Sequence, residues 1–281
     1  MLSSVLILSK KVKICKISDI IIIDKGVMIF MRKFFGFPDY GDAQGAYSWQ
    51  HLLFISLILV TMVVLAVLLG KKYRNKDNSN IVLIWSAILI DGFELIKIVL
   101  NLYKDIDSWK MNLPLFLCSI QLITIPLAAF SKGRLKEASL DFVLIFGILG
   151  AVLGTVGAAQ NYNAYPVLSF PNVVSAITHS ISGFASLYII FSRMCSMKKK
   201  NIPLVLGILF MFCALALGAN LLLDYNYMFL MSHDGTPYVI FYNLVNGNKI
   251  LYPMIVILLF VAYVLGFIYI FNFIKNKSER N

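Results

Sequence analysis

Long apolar runs alternate with short polar stretches along most of the chain. Seven runs stand out, roughly 49–70, 81–102, 113–130, 140–159, 172–193, 202–223 and 249–274. About 20 apolar residues in a helix span a hydrocarbon core about 30 Å thick, so each run is long enough to cross. The pattern predicts an all-α, polytopic membrane bundle of seven transmembrane helices. One domain covers residues 49–274, between an N-terminal extension (1–48) and a basic tail (275–281). In the fourth run Gly147, Gly150, Gly154 and Gly157 recur at helical spacing. Small residues so placed let two helix backbones approach closely in lipid, and a packing face is the expected role.

Composition supports this reading. Of 281 residues 59% are hydrophobic and 14% charged, against about 45–50% and about 25% in soluble domains. The net charge of +11 would suggest nucleic acid in a soluble protein. Here the basic residues sit in the loops, without aromatic interleaving or zinc spacings, so no nucleic-acid partner is expected. Lys71, Lys72, Arg74 and Lys76 follow the first run, Lys132, Arg134 and Lys136 the third, and Arg193 and Lys198–Lys200 the fifth; Lys275, Lys277 and Arg280 close the chain. Loops on the other side carry few, and Lys104 and Lys110 are offset by Asp105 and Asp107. Positively charged loops stay inside, which places the N-terminus outside and the C-terminus inside a cell membrane, expected to be a bacterial plasma membrane. Residues 1–30 resist this topology, with Lys10, Lys11, Lys13, Lys16 and Lys25. Their apolar stretch at 20–23 is too short to span and makes a poor signal peptide. A start at Met28 or Met31 is expected, leaving Phe34, Phe35, Phe37 and Tyr40 to rest at the outer interface.

Ionisable residues at membrane depth are costly and mark candidate sites. His51 begins the first run. Asp91, Glu94 and Lys97 share one helix face, where Glu94 and Lys97 are spaced to pair. Cys118, Gln121 and Thr124 share another, Thr178 and His179 lie in the fifth run, and Asn220 and Asp224 close the sixth. With the predicted orientation and a rise of about 1.5 Å per residue, Cys118 lies about 7–8 Å and His179 about 10 Å below the outer surface. His51, Glu94, Lys97 and Asn220 fall in the same outer half. Simpler roles exist for each: the helix 2 charges as an interhelical clamp, His179 as a hydrogen-bonded structural histidine, His233 as a solvated loop residue. The four cysteines, Cys15, Cys118, Cys195 and Cys213, form no CxxC pair. No metal site, disulfide framework or cofactor is expected, and Cys195 and Cys213 read as small hydrophobes.

The stretch Leu113-Pro114-Leu115-Phe116-Leu117-Cys118 resembles the LPLHLC signature of YwaF-like integral membrane proteins. Further pieces match in order: Gln50-His51-Leu52, Glu94, Gly147 and Gly150, Phe170-Pro171-Asn172 followed by His179, and Asn226-Tyr227-Met228-Phe229-Leu230 before Thr236-Pro237. The resemblance covers about 49–273. That family is similar to an animal transmembrane acyltransferase that moves acyl chains between phospholipids, and more distantly to membrane hydrolases of fatty-acid esters. The resemblance implies a membrane lipid or lysolipid as substrate and a catalytic pair, Cys118 and His179. His51, Glu94, Lys97, Gln121, Asn220 and Asp224 would form a supporting polar cluster. Gln121 and Asn220 are candidate oxyanion donors, and Glu94 a candidate to orient a histidine. Phe116 stands where the signature has His, which puts speed and substrate in question. A transporter, or a ligand-binding or scaffold protein without chemistry, remains open, as does the oligomeric state.

Overall fold

A computed structural model describes residues 25–37 and 40–278. Among them the chain forms α-helices joined by short 3-10 turns, without a strand. The expectations for residues 1–24, including the question of the start and Cys15, lie outside the described residues. The helices are α1 (Lys25–Phe35), α2 (Trp49–Lys72), α3 (Asn80–Lys104), α4 (Gln121–Phe130), α5 (Gly133–Thr155), α6 (Ala159–Ala164), α7 (Phe170–Phe191), α8 (Ile202–Leu223), α9 (Val239–Leu244) and α10 (Leu251–Ser278).

Five segments are long and apolar enough to cross a membrane: Trp49–Lys72, Gly133–Ala164, Phe170–Phe191, Lys199–Leu223 and Leu251–Lys277. They correspond to the first, fourth, fifth, sixth and seventh apolar runs. The second run forms α3, 25 residues long but interrupted by Asp91, Glu94 and Lys97. The third departs from expectation. Only its second half is helical, as the 10-residue α4, and residues 113–120 are a string of turns. Pro114 has no N–H to give a helix. The Leu115 N–H instead bonds back to Leu113 O at 2.8 Å, and the Phe116 carbonyl receives both Ser119 N–H (2.9 Å) and Ile120 N–H (3.2 Å).

Local chemistry sets the helix ends. Ser48 caps α2 by accepting the His51 N–H at 3.3 Å, as N-cap serines do. At the start of α7, Pro171 fits the first turn, where a missing N–H costs nothing. The Asn172 amide donates to the carbonyls of Tyr165 and Pro166, both at 3.0 Å, tying α7 to the loop before it. At its far end α8 stops on Asp224 in the left-handed conformation (φ 51°).

The core is centred on α5 and α7. A Cβ on Gly147 would lie 2.6 Å from Ser182 O and 2.8 Å from Ser186 Cβ, and one on Gly183 would lie 2.5 Å from Ala151 Cβ. Glycine is thus what permits this approach, as the small-residue spacing implied. Ser186 Oγ donates across to Leu144 O at 2.7 Å, and Tyr263 OH reaches Ile145 O at 2.7 Å. At the Lys/Arg-rich end, buried Asp141 accepts from the Met197 N–H (3.1 Å) and the Asn201 amide (2.9 Å), which anchors the 192–201 connection. At the opposite end the aromatic tail packs on the bundle: Phe34 and Phe35 meet Phe170 at 5.8 and 5.3 Å between ring centroids. Lys104 donates to the hydroxyl of Tyr40. Burial, with Tyr165 beside it, pushes that hydroxyl up to about 12, so it stays protonated.

Candidate functional site

A cavity of about 1120 Å³ opens among the C-terminal half of α3, the end of α5 and start of α6, the N-terminal half of α7, and the 111–122 and 224–237 segments. These are the ends opposite the Lys/Arg-rich connections. Non-helical backbone at membrane depth is tolerated only where protein buries it or where it lines a cavity. The irregular 113–120 segment does the latter: Leu113, Phe116, Cys118 and Ser119 all face this space.

Cys118 is exposed to the cavity. The Cys118 thiol and the His179 imidazole stand together on its wall and interact electrostatically, with Ser119 beside the sulfur. The other ring nitrogen of His179, Nδ1, lies 2.7 Å from the Ser175 carbonyl oxygen one turn earlier on α7. A carbonyl only accepts, so in the neutral imidazole Nδ1 carries the hydrogen and Nε2 keeps its lone pair. That lone pair is what a proton acceptor for a thiol requires. Thr178 Oγ1 also donates to Ser175 O, at 3.0 Å. The ring edge formed by Cδ2 and Nε2 rests against Gly154 of α5. Three separate elements therefore meet at the pair: α5, α7 and the turn segment before α4.

The expected polar cluster divides. Glu94, Lys97 and Asp224 line the cavity with Cys118 and His179. Glu94 and Lys97 form the ion pair that their spacing suggested, at 2.6 Å. Glu94 is therefore spent on Lys97, and the element orienting His179 is the Ser175 carbonyl, not a carboxylate. Asp91, one turn before Glu94, is exposed outside the cavity. His51, Gln121 and Asn220 do not line it. His51 accepts the Tyr47 N–H at 2.9 Å through Nδ1 and stacks on Tyr162 at 3.8 Å between centroids. Gln121 is fully buried, and its Oε1 accepts from Thr124 at 3.0 Å. Asn220 is bound at both ends to the backbone of Tyr227, accepting its N–H at 2.6 Å and donating to its carbonyl at 3.1 Å. It holds the turn in which Met228 adopts φ 56°. As oxyanion donors to Cys118, Gln121 and Asn220 are displaced by their positions: a helix face shared with Cys118 existed only if residues 113–120 were helical. His233 lies in the loop between α8 and α9, where its Nδ1 accepts the Gly235 N–H at 3.1 Å.

Phe116 stands on the cavity wall. Its ring stands edge-on to Tyr225 and Tyr227, 6.2 and 5.3 Å between centroids. Sequence reasoning missed Ser119, Ser175 and Gly154. Ser175 precedes His179 by four residues, the spacing at which a helical side chain meets a carbonyl, so that contact had a signal. Gly154 was concealed within a repeat read as a packing face. Among the described residues no group of three or more His, Cys, Asp or Glu side chains could hold a metal ion.

No curated protein and no solved structure matches this chain. A family model does, over residues 46–271, which is nearly all of the bundle and all of the site just described. By that match, the chain is an integral membrane protein belonging to the TMEM164 family.

Proposed function

We propose that this protein acts on lipid acyl chains, with Cys118 as nucleophile and His179 as its base. The single observation that carries the reading is the thiol–imidazole pair at the wall of the cavity, with the imidazole tautomer fixed by Ser175 O at 2.7 Å. The cavity, at about 1120 Å³, exceeds the usual span of small-molecule sites, about 300–1,000 Å³, and suits a long flexible substrate. The resemblance of the 113–118 stretch to the signature of YwaF-like proteins, a family similar to an acyltransferase, points the same way. With α3 and the broken third run counted as crossings, the chain spans seven times. The positive-inside asymmetry then puts the N-terminus and the cavity on the outer side.

The chemistry follows from the two side chains. A thiol in apolar surroundings is a poor nucleophile until a base takes its proton. Nε2 of His179 accepts that proton, and the sulfur attacks the ester carbonyl carbon of a lipid. A C–S bond forms and the carbonyl π pair moves to oxygen. When that pair returns, the C–O bond breaks, and the departing alkoxide takes the proton back from Nε2. An acyl-thioester on Cys118 and a lysolipid remain. In the second half a lysolipid hydroxyl, or water, gives its proton to Nε2 and attacks the thioester, and the departing thiolate is reprotonated. The Ser119 hydroxyl, beside the sulfur, is the side-chain donor assigned to the oxyanion in both halves.

The decisive assay uses purified protein in nanodiscs, a phospholipid with a labelled acyl chain and a lysolipid acceptor. The expected result is a protein-bound label released by neutral hydroxylamine, absent in Cys118→Ala and His179→Ala. Full acyl transfer by both variants would end this reading; movement of intact lipid or solute across liposomes with Cys118 dispensable would replace it with transport.

A further inference from the structure

The glycines of α5 do not share one role. A Cβ on Gly147 would meet the Ser182 backbone and the Ser186 side chain, so Gly147 serves helix contact. One on Gly150 would meet only Ser182 Oγ, at 3.9 Å, an ordinary contact. One on Gly154 would fall on the imidazole of His179: its three nearest atoms are Cδ2, Nε2 and Cγ of that ring, all inside any permitted contact distance. The ring occupies the volume that a side chain at 154 would fill. On its other edge Nδ1 is held to Ser175 O at 2.7 Å. The imidazole is thus bounded on both edges, by a carbonyl of its own helix and by the bare Cα of the neighbouring one.

We propose that Gly154 is a positioning residue for the Cys118–His179 pair: it supplies the space that aims Nε2 at the thiol. This rests on the proposed function, since it assigns a role relative to that pair. A methyl group at 154 forces the ring to turn about its side-chain torsions. Nε2 then leaves the sulfur, or Nδ1 leaves Ser175 O. Displacements of about 1 Å in reacting groups cost about 100-fold in rate. The substitution is otherwise mild, because Ala is a better helix former than Gly by about 1 kcal/mol.

The test reads the thiol directly. The rate at which N-ethylmaleimide alkylates Cys118 in nanodiscs is followed by peptide mass spectrometry across pH 5.5–9, a range of about 3.5 units centred on the ordinary imidazole and thiol values. In Gly154→Ala the profile should collapse onto that of His179→Ala, while Gly150→Ala keeps the wild-type profile. Added to His179→Ala, Gly154→Ala should change nothing further, since its whole effect passes through the ring. A wild-type profile in Gly154→Ala, or a further loss in the double variant, overturns the proposal. Should Gly154→Ala alone fail to fold, free imidazole decides. It should restore Cys118 alkylation in His179→Ala and not in Gly154→Ala/His179→Ala, and equal rescue in both overturns the proposal. Alkylation needs no lipid turnover. A collapse of the profile alongside acyl transfer that ignores Cys118 would sink the proposed function and leave the Gly154 assignment standing.

Discussion

His179 Nδ1 sits 2.7 Å from the carbonyl oxygen of Ser175, on the same helix and one turn earlier, while the Ser175 hydroxyl lies farther off at 3.4 Å. The shorter contact is to backbone, so it survives any side chain at position 175 that keeps the helix. Ser175→Ala is therefore expected to hold acyl transfer within about threefold of wild type, below the loss of about 1 kcal/mol given by one ordinary hydrogen bond. A loss beyond tenfold would mean that the hydroxyl, not the carbonyl, sets the tautomer.

His179→Ala should lower acyl transfer by about 10²–10⁴-fold, the usual contribution of a positioned base. The protein should still extract and elute as wild type, because the ring fills space at a cavity wall and not in the packed core. Turnover measured beside size-exclusion profiles checks both halves of this expectation.

Glu94 and Lys97 pair at 2.6 Å with side chains only 12% and 25% exposed. Removing one partner leaves the other charge poorly solvated, and Lys97→Met should destabilise by about 1–3 kcal/mol. Adding Glu94→Gln should recover much of that loss, since neutral groups leave no uncompensated charge. Thermal unfolding in detergent, compared across the two single variants and the double variant, reads the difference. Equal loss in Lys97→Met and the double variant would show that the pair contributes nothing as a pair.

Asn220→Ala should destabilise by about 2 kcal/mol, because it strips partners from a buried N–H and a buried carbonyl of Tyr227 at once. Cys118 alkylation at neutral pH should stay within about twofold of wild type, a difference of about 0.4 kcal/mol. A fall in Cys118 reactivity without any loss of stability would return Asn220 to the site.

What the sequence determined by itself is the class of the molecule. Apolar runs of about 20 residues leave few alternatives to membrane helices, since a backbone in lipid must satisfy its own hydrogen bonds. Some boundaries were legible for the same reason: 202–223 matches α8 residue for residue and 172–193 falls within two residues of α7, whereas 140–159 begins seven residues after α5 does. The Glu94–Lys97 pair was legible because i,i+3 neighbours meet on any helix. Cys118 and His179 were legible as polar atoms where polarity is costly. Their meeting was not, because it depends on how far α5 and α7 approach and on the path of the chain before it enters α4. Helical periodicity placed Gln121 beside Cys118, yet Pro114 and the turns after it dissolved that face. Asn220 looked equally suited to the site, and only tertiary structure turned it towards Tyr227. A hydropathy pattern records which residues avoid water. Which polar atoms meet one another is fixed by helix crossings and by broken backbone, and those are set by contacts between residues far apart in the chain.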